Sequence, residues 1–370
     1  MRRNILLIGA GIAGVHLSKL LSESEDNRVM LISGEHYLPY YRMRLDKILE
    51  GSSPDSIKIH DREWYMENNI ELIHQRALSF DPEKKMVGLE NGSAIKYDVL
   101  VLATGAKAFI PPVEGKHKCI ASLRSMDDAL FLREKLLSAE SVAIVGGGVL
   151  GIEAAITIAG AFPIKVHVIE SSPYILSKMI DNSSSSYLES ILESRGIVIH
   201  KNARLTELRE SSLVLEDSEI DADVVLFSTG VRADKSLAER AGLENGRGIK
   251  VDGFLETSAD GIYAIGDAAE FDGNCFGLAL YAREMAEAAA RNINGEKSEY
   301  VPSSPSFLLS AGGISVSSAG ALIGDRHSES SGDSLKTYFV ENGILRGAVL
   351  INALSSIQKV SALIDKPYIG

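Results

Sequence analysis

Three glycines, Gly9, Gly11 and Gly14, follow the apolar run Ile5–Ile8 near the start of the chain. Glycine at the first position permits a tight turn out of a buried strand. At the second it lets a pyrophosphate approach the backbone, and at the third it lets the next helix pack on the strand. The start of such a helix offers N–H groups and the positive end of its dipole to phosphate oxygens. An acid about 20 residues further on, at the end of the following strand, completes the pattern by accepting from a ribose hydroxyl. Glu35, closing "RVMLISGE", fills that place. The arrangement recurs at Gly146, Gly148 and Gly151 within "SVAIVGGGVLGIE", with Glu170 closing "KVHVIE". The chemistry implied is the binding of two dinucleotides.

The elements that must position these residues repeat as well. "YDVLVLATGA" (97–106) ends the first unit and "ADVVLFSTGV" (222–231) ends the second, each an apolar strand running into Thr104-Gly105 or Thr229-Gly230. Between glycine turn and closing strand each copy has a helix–strand pass and a β-meander, the first marked by an Asn91-Gly92 hairpin signal. This is an internal duplication of a Rossmann-like unit. A third signal breaks the symmetry: "TSADGIYAIGDAAEF" (257–271) runs an apolar strand into Gly266-Asp267, ahead of a helical stretch near Phe276–Asn292. An acid at a strand's C-terminal edge suits a polyol chain and the electron-rich end of a flavin. It equally suits a cap on the next helix.

At 370 residues the chain predicts two or three domains, and with 45% hydrophobic residues it can bury sizeable cores. Thirty-eight basic residues against 50 acidic ones give a net charge of −12, which argues against a nucleic-acid or anionic-membrane surface. The two cysteines, Cys119 and Cys275, are far apart and show no metal or disulfide spacing, so each reads as a small buried side chain in a reducing compartment. No metal site is expected. The N-terminal "MRRNILLIGAGIAGV" is broken by the three glycines and does not read as a secretion signal. "VAIVGGGVLGIEAAITIAGAF" is nearly long enough to span a bilayer, but Glu153 and its glycine cluster make it a turn and a packed helix. The location expected is the cytoplasm, with no membrane contact.

Together these motifs resemble the two-dinucleotide-binding-domain flavoproteins of the pyridine nucleotide–disulfide oxidoreductase superfamily, over residues 1 to about 295. The resemblance implies an α/β fold of two duplicated Rossmann-like, three-layer ββα domains plus a small α+β C-terminal domain. It places an FAD-binding domain at 1–112 and 240–298, an NAD(H)-binding domain at 113–239, and a C-terminal interface domain at 299–370. It implies FAD and NADH as cofactors. Carried over, Gly9, Gly11, Ala13, Gly14, Glu35, Arg42, Lys47, Ala77, Ala103, Thr104, Gly105 and Asp267 become FAD contacts, with Asp267 on the ribityl chain. Gly146, Gly148, Gly151, Glu153, Glu170 and Gly230 go with NADH. Glu170 can accept from a ribose diol but would repel a 2′-phosphate, and Ser171 and Ser172 after it offer no arginine, so NADH is expected over NADPH.

In the disulfide-reductase branches of that superfamily a redox cysteine precedes a lysine that touches the flavin ring. Here the stretch "LPYYRMRLDK" (38–47) has Met43, Arg44 and Leu45 before Lys47 and no cysteine, so the resemblance is not to a disulfide reductase. It is similar instead to the "PY-x-R-P-x-L" signature of branches that reduce one-electron partners, above all NAD(P)H:rubredoxin oxidoreductases and nitrite reductase flavin domains. Met43 stands where the commoner pattern has proline. What this implies is hydride transfer from NADH to FAD and single-electron release to a small carrier such as rubredoxin. By the same resemblance Lys47 lies near the flavin and pairs with Glu153, which contacts the nicotinamide side. Read from residue type alone, Lys47 is a solvated loop lysine and Glu153 a first-turn helix acid. Arg42 either neutralises the FAD pyrophosphate or pairs locally, and a cluster of Arg42, Arg44 and Arg124 is expected to receive the carrier. Alternatives are an NADH oxidase that makes peroxide, a reductase component of a multi-subunit enzyme, and a non-enzymatic signalling flavoprotein.

From about Tyr300 the chain changes character. "PSSPSF" reads as a linker, "SAGGISVSSAGAL" as a flexible stretch or a packed edge beside the flavin domain, and "LKTYFVENGILRGAVL" as a hairpin turning at Asn342-Gly343. A homodimer through so short a domain is left open.

Overall fold

The computed structural model describes residues 2–303 and 306–368. Ser304 and Pro305 of the linker-like "PSSPSF" lie outside the described residues. The chain divides into two units. The first comprises Met1–Arg44, Ser53–Lys107 and Val231–Ser303, and the second Leu45–Ser52, Ala108–Gly230 and Ser304–Gly370.

The first unit is built on a five-stranded parallel sheet in the order Ile262–Ala264, Val99–Leu102, Arg3–Ile8, Asn27–Ser33, Ile70–His74. Its central strands read as unbroken apolar runs because both faces are covered. Ile5, Leu6, Leu7, Leu100, Val101 and Leu102 are all fully buried. The helices Ile12–Ser22 and Ala279–Ile293 and the meander Ala77–Asp81, Met86–Leu89, Ala94–Lys96 share one core with the sheet. The Asn91-Gly92 hairpin joins the last two meander strands as expected, with Gly92 at φ +82°.

The second unit repeats the plan. Its parallel sheet runs Ile120–Ala121, Val224–Phe227, Ser141–Val145, Lys165–Ile169, Ile197–His200, and its meander is Leu205–Leu208, Ser212–Leu215, Glu219–Asp221. The apolar segment after Gly148 is the helix Val149–Ala161, packed in this unit's core. Among the described residues no helix is long and apolar enough to cross a membrane. Helix Met126–Leu136 starts at a capping box, in which the Ser125 hydroxyl accepts from the Asp128 N–H and the Asp128 carboxylate accepts from the Ser125 N–H.

The C-terminal residues form a five-stranded antiparallel sheet in the order Ser306–Ala311, Ile314–Gly320, Ile344–Ile351, Ser334–Glu341, Asp325–Ser331. Asn342 and Gly343 turn the expected hairpin at φ +53° and +76°, the type I′ signature. Two expectations about this region change. The glycine- and serine-rich 314–320 is an inner strand, buried from Ile314 through Ala319. The sheet also belongs with the second unit and not with the first: Phe307, Leu309, Ile314, Val316, Val349 and Ile351 share a core with Ile152, Ile156 and Leu188 of that unit's helices. The other face of the sheet keeps a small core of its own, in which Val340, Leu345, Ala348 and Leu350 pack with Ala353 and Val360 from the C-terminal segment. Two of the unit crossings fall just after the Thr-Gly turns, at Lys107/Ala108 and Gly230/Val231.

Candidate functional site: two glycine cradles

In the first unit, strand Arg3–Ile8 ends at Gly9, whose φ of +113° a side chain would strain and where a Cβ would lie 2.1 Å from Ala103 O. A Cβ at Gly14 would lie 2.0 Å from Gly9 O, so turn and helix meet through hydrogen atoms alone. Gly11 caps the helix Ile12–Ser22 without a side-chain hydrogen bond, and a Cβ there would meet nothing within 4 Å. Space therefore opens in front of first-turn N–H groups that no capping side chain takes.

The second unit repeats this cradle closely. Gly146 has φ +117° with its would-be Cβ 2.4 Å from Ser228 O, and that of Gly151 lies 2.0 Å from Gly146 O. Gly148 again caps a helix with no side-chain bond and with open space beside it. In each motif two glycines are demanded by the protein's own packing. The middle one faces open space.

The acids behind the cradles are both held. Glu35 accepts from the Tyr40 hydroxyl at 2.6 Å and from the Arg42 guanidinium. Of the two roles open to Arg42, local pairing is the one seen. Burial works against its charge, and Tyr40, Glu35 and Asp267 outweigh burial, so its pKa lies above the ordinary arginine value. Arg42 is thereby drawn away from the basic surface expected of it, while Arg44 remains exposed with its guanidinium 5.1 Å from the Tyr41 ring centre. Glu170 accepts from the N–H of Gly147 at 2.8 Å and of Ser172 at 2.6 Å. Its carboxylate lies where a Gly147 side chain would go, which explains the extra glycine between Gly146 and Gly148.

Asp267 lies in a short 3-10 turn, Gly266–Ala268, directly after strand Ile262–Ala264. It does not cap the long helix that follows, whose N-cap is Leu278. Gly266, at φ +66°, comes so close to the glycine helix that a Cβ would sit 3.2 Å from that of Ala13, which brings Asp267 to the first cradle. Ala103 is buried under Gly9. Ala77 opens the meander, half-buried against the first unit's core and paired with Leu89. Thr104 and Thr229 share a role that the sequence did not reveal. Their hydroxyls donate to main-chain oxygens, of Asp234 at 2.6 Å and of Phe109, and so fasten the two crossing segments. Gly105 and Gly230 beside them take φ +71° and +96°.

The Lys47–Glu153 ion pair is not formed. Lys47 donates to Glu50 at 2.9 Å on its own short helix. Glu153 lies in the second turn of helix Val149–Ala161, past the reach of a first-turn role, and accepts from the Ser310 N–H at 3.2 Å. Burial pushes its carboxyl up to about 7, the Ser310 N–H opposing and Asp46 reinforcing. Ser310 and Asp46 carry no sequence signal, since only the fold brings them to Glu153. The free thiols of Cys119 and Cys275 are both pushed above the usual range by burial, the opposite of an activated thiolate. Among the described residues no cluster of three or more metal-ligating side chains occurs.

The two cradles, the acids behind them and Asp267 fit the pyrophosphates, riboses and polyol of a flavin and a nicotinamide dinucleotide. The family model of the pyridine nucleotide-disulphide oxidoreductases matches residues 3–290. The chain is 35% identical over 329 residues to the NADH-rubredoxin oxidoreductase of Clostridium acetobutylicum, an alignment covering 88% of this chain and 83% of that one. It is 29% identical to a nitrite reductase of Bacillus subtilis over 99% of its own length, and spans 47% of that longer protein. The crystal structure of the ferredoxin reductase for the CYP199A2 system from Rhodopseudomonas palustris matches with a TM-score of 0.89 at 29% identity, over 99% of this chain and 96% of that one. The family match runs from the first glycine strand into the long helix Ala279–Ile293, and the chain belongs to the pyridine nucleotide-disulphide oxidoreductase family, as an FAD-dependent NADH oxidoreductase.

Proposed function

We propose that the protein takes reducing equivalents from NADH and passes electrons singly to a small redox protein, rubredoxin first among them, in the cytoplasm. The observation that carries this reading is the pair of cradles, each open at its middle glycine, with no cysteine in the 38–47 stretch that follows the first. Relatives named for rubredoxin, ferredoxin and nitrite reduction support an acceptor served by single electrons.

Bound FAD supplies the conversion of a two-electron donor into one-electron transfers. The chain's own residues do the rest. Gly11 and the first turn of helix Ile12–Ser22 hold the FAD pyrophosphate, and Gly9, Gly14 and Ala103 keep that turn closed. Glu35, oriented by Tyr40 and Arg42, has further lone pairs for the ribose diol. Asp267 takes the ribityl hydroxyls. Gly148 and the first turn of helix Val149–Ala161 hold the NADH pyrophosphate. Glu170, fixed by two N–H groups before any ligand arrives, accepts from the adenosine ribose and repels a 2′-phosphate, which selects NADH. Glu153 orients the nicotinamide side. Lys47, exposed on the short helix Leu45–Leu49, would supply positive charge beside the flavin.

The test is anaerobic steady-state turnover of the FAD-loaded protein with NADH and, in turn, rubredoxin and ferredoxin, beside aerobic oxygen consumption. The reading expects reduction of an iron–sulfur or iron–thiolate carrier to outrun oxygen use by at least tenfold. Rapid peroxide formation with both carriers left oxidised would make the protein an oxidase.

A further inference from the structure

The C-terminal sheet does more than close the core of the second unit. Ser310 lies on the edge strand Ser306–Ala311, opposite Ser315 of the inner strand Ile314–Gly320. In an antiparallel edge strand alternate N–H groups point away from the ladder, and that of Ser310 goes to the Glu153 carboxylate at 3.2 Å. The turn that follows is fixed to the same unit twice. Arg195, at the end of helix Asn182–Ser194, donates to Gly312 O at 2.6 Å. Gly312, at φ +51°, seats so closely on Ile156 that a Cβ would fall 2.6 Å from its Cγ2. Ile156 is three residues beyond Glu153 on one helix and so stands beside it. Beneath the hairpin, Phe307, Leu309 and Ile314 join the core that holds Ile152 and Ile156.

We propose that the C-terminal hairpin is the positioning element for Glu153: the main-chain N–H of Ser310, clamped in place through Arg195 and Gly312, sets the orientation and charge of that carboxylate. Ser310 is a positioning residue that acts through its backbone. This rests on the reading of Glu153 as the nicotinamide-side acid. The physical consequence follows from what surrounds the group. Burial and the Asp46 carboxylate, from the short helix Leu45–Leu49, favour the protonated form, and the Ser310 donor favours the anion. Lys47, on the same short helix, is engaged by Glu50. Strand Ser306–Ala311 brings no ionisable side chain of its own. Loosening the hairpin therefore shifts Glu153 further toward its neutral form and releases its orientation.

The experiment is anaerobic stopped-flow reduction of the FAD-loaded protein by NADH across pH 5.5 to 9. Ser310→Pro removes the outward donor while the ladder N–H groups on either side remain, a replacement an edge strand accommodates. Ser310→Ala keeps the donor. The proposal expects Ser310→Pro to move the midpoint of the pH profile up by about one unit, the scale of a hydrogen bond to a charged group. Ser310→Ala is expected to keep the wild-type midpoint, and Arg195→Met to shift it the same way as proline but less. Arg195→Met reports on the clamp even where the proline variant folds poorly. If both shifts are absent while Glu153→Gln abolishes the transition, the positioning role is overturned and Glu153 keeps its own. If Glu153→Gln leaves the transition intact, the role of Glu153 fails and the positioning role with it.

Discussion

A methyl group at Gly11 or Gly148 would meet no protein atom, whereas one at Gly9 or Gly146 would be driven into a carbonyl at 2.1 or 2.4 Å. Substitutions within one motif should therefore separate folding from binding. Gly148→Ala is expected to fold and keep its flavin but to raise the KM for NADH tenfold or more, about 1.4 kcal/mol of lost binding. Gly11→Ala should fold and purify with a reduced flavin-to-protein absorbance ratio. Gly9→Ala and Gly146→Ala should yield little folded protein by circular dichroism. Glu153 gives a second test at this scale. Its folded carboxyl, at about 7 against an ordinary value of 4.5, holds a proton that the unfolded chain releases as pH rises between those values. Stability is thus lost with rising pH across that window, because the half-buried anion is partly desolvated. Glu153→Gln should match the wild type near pH 5 and exceed it near pH 8 by about 1–2 kcal/mol after solvent screening, in urea unfolding followed by circular dichroism. An unchanged difference at the two pH values would contradict the desolvated-anion account.

At the scale of elements, local chemistry was legible and long-range pairing was not. The Asn-Gly hairpins, the glycine turns and the paired meanders follow from backbone requirements carried by neighbouring residues, and all form where their sequences place them. The strand Ile314–Gly320 hid behind its serines. Ser315, Ser317 and Ser318 are buried because neighbours cover both sides of an inner strand, and no sequence period reveals neighbours. The Lys47–Glu153 pair failed for a related reason: Lys47 has Glu50 three residues away, a short-range partner that the fold leaves available. The same shared core predicts what truncation does. A chain ending after residue 303 would expose Ile152, Ile156 and Leu188 where Phe307, Leu309 and Val316 now cover them. It should lose the cooperative melting of the second unit and NADH binding, although every residue of the second glycine motif remains. A truncated protein that still binds NADH with wild-type affinity would show that the sheet is a separable domain.

At the scale of the molecule, duplication supplies two cradles in one chain, and the features outside the repeat give each copy its own character. The Asp267 turn after strand Ile262–Ala264 marks the first unit, and the antiparallel sheet closes the second. The duplicated plan could be read from the sequence because its motifs recur in order. The attachment of the last 70 or so residues could not, since their apolar face is an ordinary alternating pattern that fits either unit. The central claim is that electrons entering as a pair from NADH leave singly to a protein, without a thiol. The most direct measurement is anaerobic double-mixing stopped-flow: the FAD-loaded protein is first reduced with one equivalent of NADH, then mixed with oxidised rubredoxin or with oxygenated buffer. The account predicts bleaching of the rubredoxin band orders of magnitude faster than reoxidation by oxygen, with two rubredoxins reduced per NADH. Rubredoxin that stays oxidised while oxygen reacts quickly would contradict it.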